Sequence, residues 1–216
     1  MRPLTLLCAL IGALYGFLTP GLATAQPAPL AQTQANPQRQ ADLSHIESYL
    51  NGISTAEADF TFAAPDGQIS HGMFYLNRPD KLRFEYTDPA GNLLIADGSY
   101  VIYWDAGQKE ASNLPIKSTP LAFLLRPQIS LTDGVEVTGY EHNAGIIRVR
   151  LVQTHDSSAG SVTIAFTDQP LELRGWRLVD PGGQITDVTF SNWRFGMTLD
   201  PGLFHFESPN AGKRHR

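Results

Sequence analysis

The chain has 216 residues, 42% of them hydrophobic, a formal net charge of −5 and a single cysteine. A mildly acidic chain without Lys/Arg clusters is poorly suited to bind nucleic acid or to hold anionic lipid by charge alone. Cys8 lies in an N-terminal apolar run, so once that run is removed disulfides, thiolate catalysis and cysteine-held metals are all excluded.

The N-terminus reads as a signal peptide. Arg2 supplies a positive n-region, Leu4 to Leu18 is apolar, and Ala23-Thr24-Ala25 offers the small-x-small cleavage pattern. Cleavage after Ala25 predicts an exported chain beginning at Gln26, and loss of the one charge on Arg2 makes it −6. Residues 26–40 are Pro/Gln/Ala-rich and read as a flexible leader. Residues 41–209 then form one domain, and 210–216 a short basic tail. About 190 residues is ample for a single core without disulfides.

Leu43, Ile46, Leu50 and Ile53 recur near a 3.6 period, which predicts an amphipathic helix over Asp42–Ile53. Asp42 or Ser44 could cap its start, and Asn51-Gly52 could stop it. Strands follow. Ala56 to Phe62 alternates, Pro65-Asp66-Gly67 turns the chain, and Ile69 to Asn77 leads through a tight Arg78-Pro79-Asp80 turn into Lys81 to Tyr86. Asn92 to Ala96 and Tyr100 to Trp104 form a hairpin over Asp97-Gly98. A loop is expected around Gly107 to Pro115. A short greasy helix is expected over Ser118–Leu125, with Leu121, Phe123, Leu124 and Leu125.

Alternation resumes at Val135 to His142, Ile146 to Gln153, Ser161 to Asp168, Leu171 to Asp180 and Ile185 to Arg194, with a last aromatic pair at Phe204 and Phe206. The pattern predicts a mainly β fold: one long antiparallel meander of about eleven strands with two or three short helices. A sheet of that width curls, and its apolar concave face then needs the helices as a cover.

Catalytic motifs are missing. No HExxH, GxSxG, P-loop or strand-linked GxGxxG occurs, and the six histidines are scattered singly. His155-Asp156 sits in a Ser/Gly-rich loop, and His205 falls between Phe204 and Phe206 on what reads as the outer side of a strand. No enzyme, cofactor or metal is therefore expected. The positive signal is apolar. Phe60, Phe62, Phe74, Leu76, Leu82, Phe84, Tyr86, Leu94 and Tyr103 occupy alternating positions of consecutive strands. They build either a filled core or the wall of a cavity. With one sheet and no second sheet to pack on it, a lidded cavity is favoured.

The series Gly72-x-Phe74-Tyr75, Arg78-Pro79, Arg83 and Tyr86 resembles the periplasmic outer-membrane lipoprotein carriers, the LolA family. So do Asp88-Pro89, Ile95-Ala96-Asp97-Gly98 followed by Tyr103-Trp104-Asp105, Thr119-Pro120-Leu121, and Leu203-Phe204-x-Phe206-x-x-Pro209. The resemblance covers residues 40 to 209. It implies an unclosed antiparallel β-barrel with a helical lid over an apolar cavity that carries acyl chains across the periplasm. It also implies acylated lipoproteins as cargo, an inner-membrane ATP-driven release complex as donor and an outer-membrane lipoprotein receptor as acceptor. Arg78 would be the lid latch. The lid would comprise Leu43, Ile46, Leu50, Leu121, Phe123, Leu124 and Leu125, and a monomer is the default. Leu82 stands where some carriers show an aromatic residue. The alternatives are a carrier of another amphiphile such as a phospholipid or glycolipid, a hydrolase using His155 or His205, and a β-domain with a filled core.

Overall fold

The computed structural model describes residues 36–119 and 122–207, all within the unit Ala35–Arg216. The expected signal peptide, most of the expected leader, Leu121 and the 210–216 tail lie outside the described residues. Helix α1 spans Pro37–Gly52 and so begins ahead of the expected Asp42. Asn36 is its cap: the side-chain oxygen accepts from Gln38 N at 3.0 Å and Arg39 N at 3.4 Å. Pro37 then enters the first turn with no N–H to leave unpaired. Composition alone made 37–40 look like linker, whereas this cap and proline start a helix there. The buried stripe is Asp42, Ile46 and Leu50, each four residues apart on one face. Asp42 is thus a buried mid-helix residue instead of a cap.

Eleven strands form one antiparallel sheet: β1 Thr55–Ala63, β2 Ile69–Asn77, β3 Lys81–Asp88, β4 Ala90–Asp97, β5 Tyr100–Asp105, β6 Glu110–Pro115, β7 Val135–Asn143, β8 Ile146–Gln153, β9 Ser161–Thr167, β10 Glu172–Val179 and β11 Ile185–Phe195. The expected loop at 107–115 contains β6, which alternation could not reveal because its residues are exposed on both faces and held only by pairing with β5. The expected C-terminal strand is absent from its place. Pro201–Phe204 is a 3₁₀ turn capped by Asp200, whose Oδ1 accepts from Gly202 N at 2.9 Å. That segment lies on the outer face, where Arg83 donates to Leu203 O at 3.1 Å and Phe206 meets Trp104 at 5.9 Å between ring centres. His205 is exposed there.

The expected helix over 118–125 is two 3₁₀ turns, Ile116–Ser118 and Ala122–Leu125. Thr119 is extended (φ −101°, ψ 143°), as the clash with a following proline ring requires, so no helix runs through it.

The strand order is β6-β5-β4-β3-β2-β1-β11-β10-β9-β8-β7. The sheet is therefore not one continuous meander. Two meanders, β1–β6 and β7–β11, are joined where β1 pairs with β11, in register from Phe60↔Phe190 to Ala63↔Asp187. β6 and β7 are the two open edges, and the segment between them carries the 3₁₀ turns Ile116–Ser118 and Ala122–Leu125. Strands lie ~4.8 Å apart in a sheet, so β5 and β10, six places apart, would stand roughly 29 Å apart if the sheet were flat. Yet Val101 of β5 and Leu178 of β10 line one cavity. The sheet is rolled into an unclosed barrel. Gly72 helps this: a Cβ there would sit 2.0 Å from Glu85 O and 2.7 Å from the Phe60 ring, so only glycine lets β2 approach β3 at the bulge.

Candidate functional site

The concave face gathers an aromatic cluster. Phe60, Phe74 and Phe84 from the first meander meet Trp176 and Phe190 from the second, with Phe74–Phe190 centroids 4.9 Å apart and Trp176–Phe190 4.8 Å apart in edge-on contact. Such offset and edge-to-face pairs suit the ring quadrupole and add to the gain from burial. Of the nine wall residues expected from sequence, Phe60, Phe74, Leu82, Phe84 and Tyr86 are buried, and Phe62, Leu76, Leu94 and Tyr103 are partly buried against the same cluster.

Among the described residues the packing leaves two apolar hollows on this face. One of about 220 Å³ is lined by Phe62, Phe84, Tyr86, Leu94, Leu125 and Trp176, among others. A smaller one, about 40 Å³, adjoins it across Leu82, Leu125 and Trp176 and is lined also by Leu50, Leu124, Phe74, Trp193 and Arg78. Phe60 and Tyr103 line neither; Tyr103 lies to one side with its hydroxyl accepting from Asn92 Nδ2 at 3.0 Å. Ile46 and Phe123, each about 1% exposed, pack into the core cluster and line neither hollow. The cavity is thus smaller in this conformation than a hollow half-barrel would suggest.

Ile46, Leu50, Phe123 and Leu125 cover the concave face and are buried, while Leu43 and Leu124 are half-buried at its margin. Tyr49 is tied beneath them, its hydroxyl accepting from Leu173 N at 3.1 Å. Burial raises the pKa of Tyr49 and, further, that of Tyr86.

Arg78 sits at the end of β2, where the tight turn begins. Its Nη1 donates to Leu50 O and to Ile53 O (3.2 Å), both at the end of α1. Its Nη2 donates to Arg126 O at 3.0 Å, Pro127 O at 3.3 Å and Asn51 Oδ1 at 3.4 Å. One planar fork therefore holds the end of α1 and the segment after the second 3₁₀ turn. The same turn adds a backbone bond, Asp80 N to Leu125 O at 2.8 Å. Asp80 makes it from a left-handed conformation (φ 65°) that aspartate tolerates better than most residues. Burial lowers the Arg78 pKa from its ordinary value, but guanidinium remains cationic.

A second polar cluster fixes the other end of α1. Asp42 accepts from Gln38 Nε2 at 2.7 Å and from the Tyr140 hydroxyl at 2.5 Å. His142 Nδ1 lies 2.7 Å from Asp42 Oδ2, and its Nε2 lies 3.1 Å from Asp168 Oδ2. Burial alone would raise the Asp42 pKa, but hydrogen bonds from Tyr140, Gln38 and His142 bring it below its ordinary value. Burial and the hydrogen bond to Asp42 push Tyr140 up to about 12. Sequence reading missed this cluster, because its members are about a hundred residues apart.

It also missed Trp176, Trp193 and Phe190. In β10 strict alternation from Leu173 would send Gly175 and Arg177 inward. A bulge between Leu173 and Gly175 shifts the phase, so Trp176 and Leu178 face the cavity instead. The long aromatic-rich run 185–195 was the available signal. His155 is exposed, and its neighbour Asp156 accepts from Ser158 N and Oγ in a local turn. Among the described residues, no group of three or more His, Cys, Asp or Glu side chains is placed to hold a metal ion.

A family model described as outer membrane lipoprotein carrier protein LolA matches residues 51–207. Three relatives are named outer-membrane lipoprotein carrier protein. That of Methylococcus capsulatus is 32% identical over 191 residues, covering 84% of this chain and 88% of that protein. Those of Albidiferax ferrireducens (24%, covering 77% and 87%) and Leptothrix cholodnii (26%, covering 79% and 84%) are more distant but span the same breadth.

Proposed function

The chain belongs to the LolA family of outer-membrane lipoprotein carrier proteins, and on that premise we propose that it is a soluble periplasmic carrier. It shields the acyl chains of lipoproteins and moves them from an inner-membrane ATP-driven release complex to an outer-membrane lipoprotein receptor. It performs no chemistry on them. The seven wall residues that line the hollows, Phe62, Phe74, Leu76, Leu82, Phe84, Tyr86 and Leu94, take the chains together with the two Trp side chains of the second meander. α1 and the 3₁₀ turns form the lid, and Arg78 is its latch.

The observation that carries this reading is the Arg78 fork over hollows lined almost entirely by aliphatic and aromatic side chains. Each acyl methylene exposed to water costs ~0.8 kcal/mol, so a chain-bearing lipoprotein does not cross an aqueous space unaided. A drug-sized ligand needs a pocket of roughly 300–1,000 Å³, and neither hollow reaches that size. Cargo therefore enters only if the lid lifts. Hydrogen bonds from one charged donor group to several carbonyls resist that by a few kcal/mol, enough to keep the empty form closed without making release prohibitive.

The test is release of a labelled lipoprotein from inner-membrane vesicles bearing the ATP-driven complex. Label should appear in the soluble fraction, bound to this protein, only when the protein is added. Equal release with and without it would reject the carrier role.

A further inference from the structure

Guanidinium has five N–H donors. Four, on Nη1 and Nη2, point at acceptors that all belong to the end of α1 or to the lid segment at Arg126 and Pro127. The fifth, on Nε, is buried and has no partner among the described residues. Arg78 also forms part of the wall of the smaller hollow, whose other lining side chains are aliphatic or aromatic. When α1 and the lid segment move away, Arg78 loses its acceptors in one step. The cation is then left at the lip of an apolar chamber, where unpaired donors are costly.

Resting on the carrier reading, we infer that Arg78 has a second binding role: in the loaded state it takes the ester and amide carbonyl oxygens at the polar junction of the acylated cysteine. The lid carbonyls and the cargo carbonyls are the same chemical class, neutral C=O acceptors. The exchange thus swaps one set of neutral acceptors for the other with no change in net charge. The apolar walls take the chains below that level and the peptide leaves above it, so the guanidinium sets the depth at which the cargo sits. The unpaired Nε gives the loaded form one donor more than the closed form uses. A latch that only closed the empty protein would be indifferent to how the chains are joined to glycerol.

The experiment compares a synthetic triacyl lipopeptide with an analogue of the same chain lengths whose two esters are replaced by ethers, which lack the carbonyl oxygens. Binding is measured by calorimetry to the full-length mature protein. The wild type should bind the ester form at least about tenfold more tightly, as loss of hydrogen bonds to a charged donor implies. Arg78→Leu should bind both forms equally, and Arg78→Lys, which keeps the charge but not the fork, should recover only part of the preference. Equal binding of the two forms by the wild type, a comparison that needs no variant, overturns the inference. So does an ester preference that survives Arg78→Leu. A diacyl phospholipid bound more tightly than the triacyl ester would make phosphate the partner of the fork and also overturn it. Binding of neither lipopeptide would instead sink the carrier reading itself.

Discussion

Asn51 and Ile129 are joined through both ends of one side-chain amide: Asn51 Nδ2 donates to Ile129 O at 2.8 Å, and Asn51 Oδ1 accepts from Ile129 N at 2.8 Å. The amide copies the pairing of a neighbouring β-strand. Glu47 repeats the tie one turn earlier, its Oε2 accepting from Leu131 N at 3.0 Å. α1 and the segment 122–131 are thereby one mechanical piece, although 78 positions separate Asn51 from Ile129.

Asn51→Leu should uncouple that piece. It leaves the buried Ile129 N–H and C=O without partners, which costs about 1–3 kcal/mol for each group unsatisfied. Thermal unfolding should fall by several degrees, at roughly 2–4 °C per kcal/mol for a domain of this size. Hydrogen exchange should rise together at the end of α1 and at Ile129. Unchanged exchange at Ile129 would refute the coupling.

Arg78→Leu should loosen the lid without unfolding the sheet. A dye that fluoresces in apolar surroundings should bind the variant more strongly in the absence of cargo, and exchange should quicken at Leu50 to Ile53. Transfer of bound lipoprotein to the outer-membrane receptor should be impaired. Unaltered transfer would reject the latch.

The three tryptophans report on different faces. Trp176 and Trp193 line the hollows, while Trp104 packs on Phe206 outside the barrel. Cargo should therefore change the fluorescence of a Trp104→Phe protein as much as that of the wild type. A Trp176→Phe, Trp193→Phe double variant should lose most of the change. A response that follows Trp104 would place the acyl chains elsewhere.

Asp42 predicts an acid dependence of defined sign. Its folded pKa lies below the ordinary carboxylate value, so the native state favours its ionised form. That contribution is fully present above the unfolded value and is lost as pH falls through the lower folded one. Stability measured in urea should decline on acidification through and below pH ~4, and Asp42→Asn should flatten that decline while lowering stability at neutral pH. An equal acid slope in both proteins would count against it.

Strands β2 and β3 were open to reading because Gly72 to Leu76 and Leu82 to Tyr86 alternate, so Phe74, Leu82 and Phe84 fall on one face by spacing alone. β10 was not, since a bulge in it reverses the facing of every residue that follows, and a bulge is set by the partner strand. Strand β6 carries no apolar alternation and exists because β5 offers it an edge.

The sequence by itself determined a mainly β chain with one strong apolar face, a short amphipathic helix and an arginine at a tight turn. These are local consequences of side-chain period and turn chemistry. Only the tertiary structure decided that β1 pairs with β11, that the sheet stays open between β6 and β7, and that the Arg78 fork closes on Leu50, Asn51, Ile53, Arg126 and Pro127. Each of those joins groups far apart along the chain, and their free energy appears only once the rolled sheet has brought them within hydrogen-bonding reach.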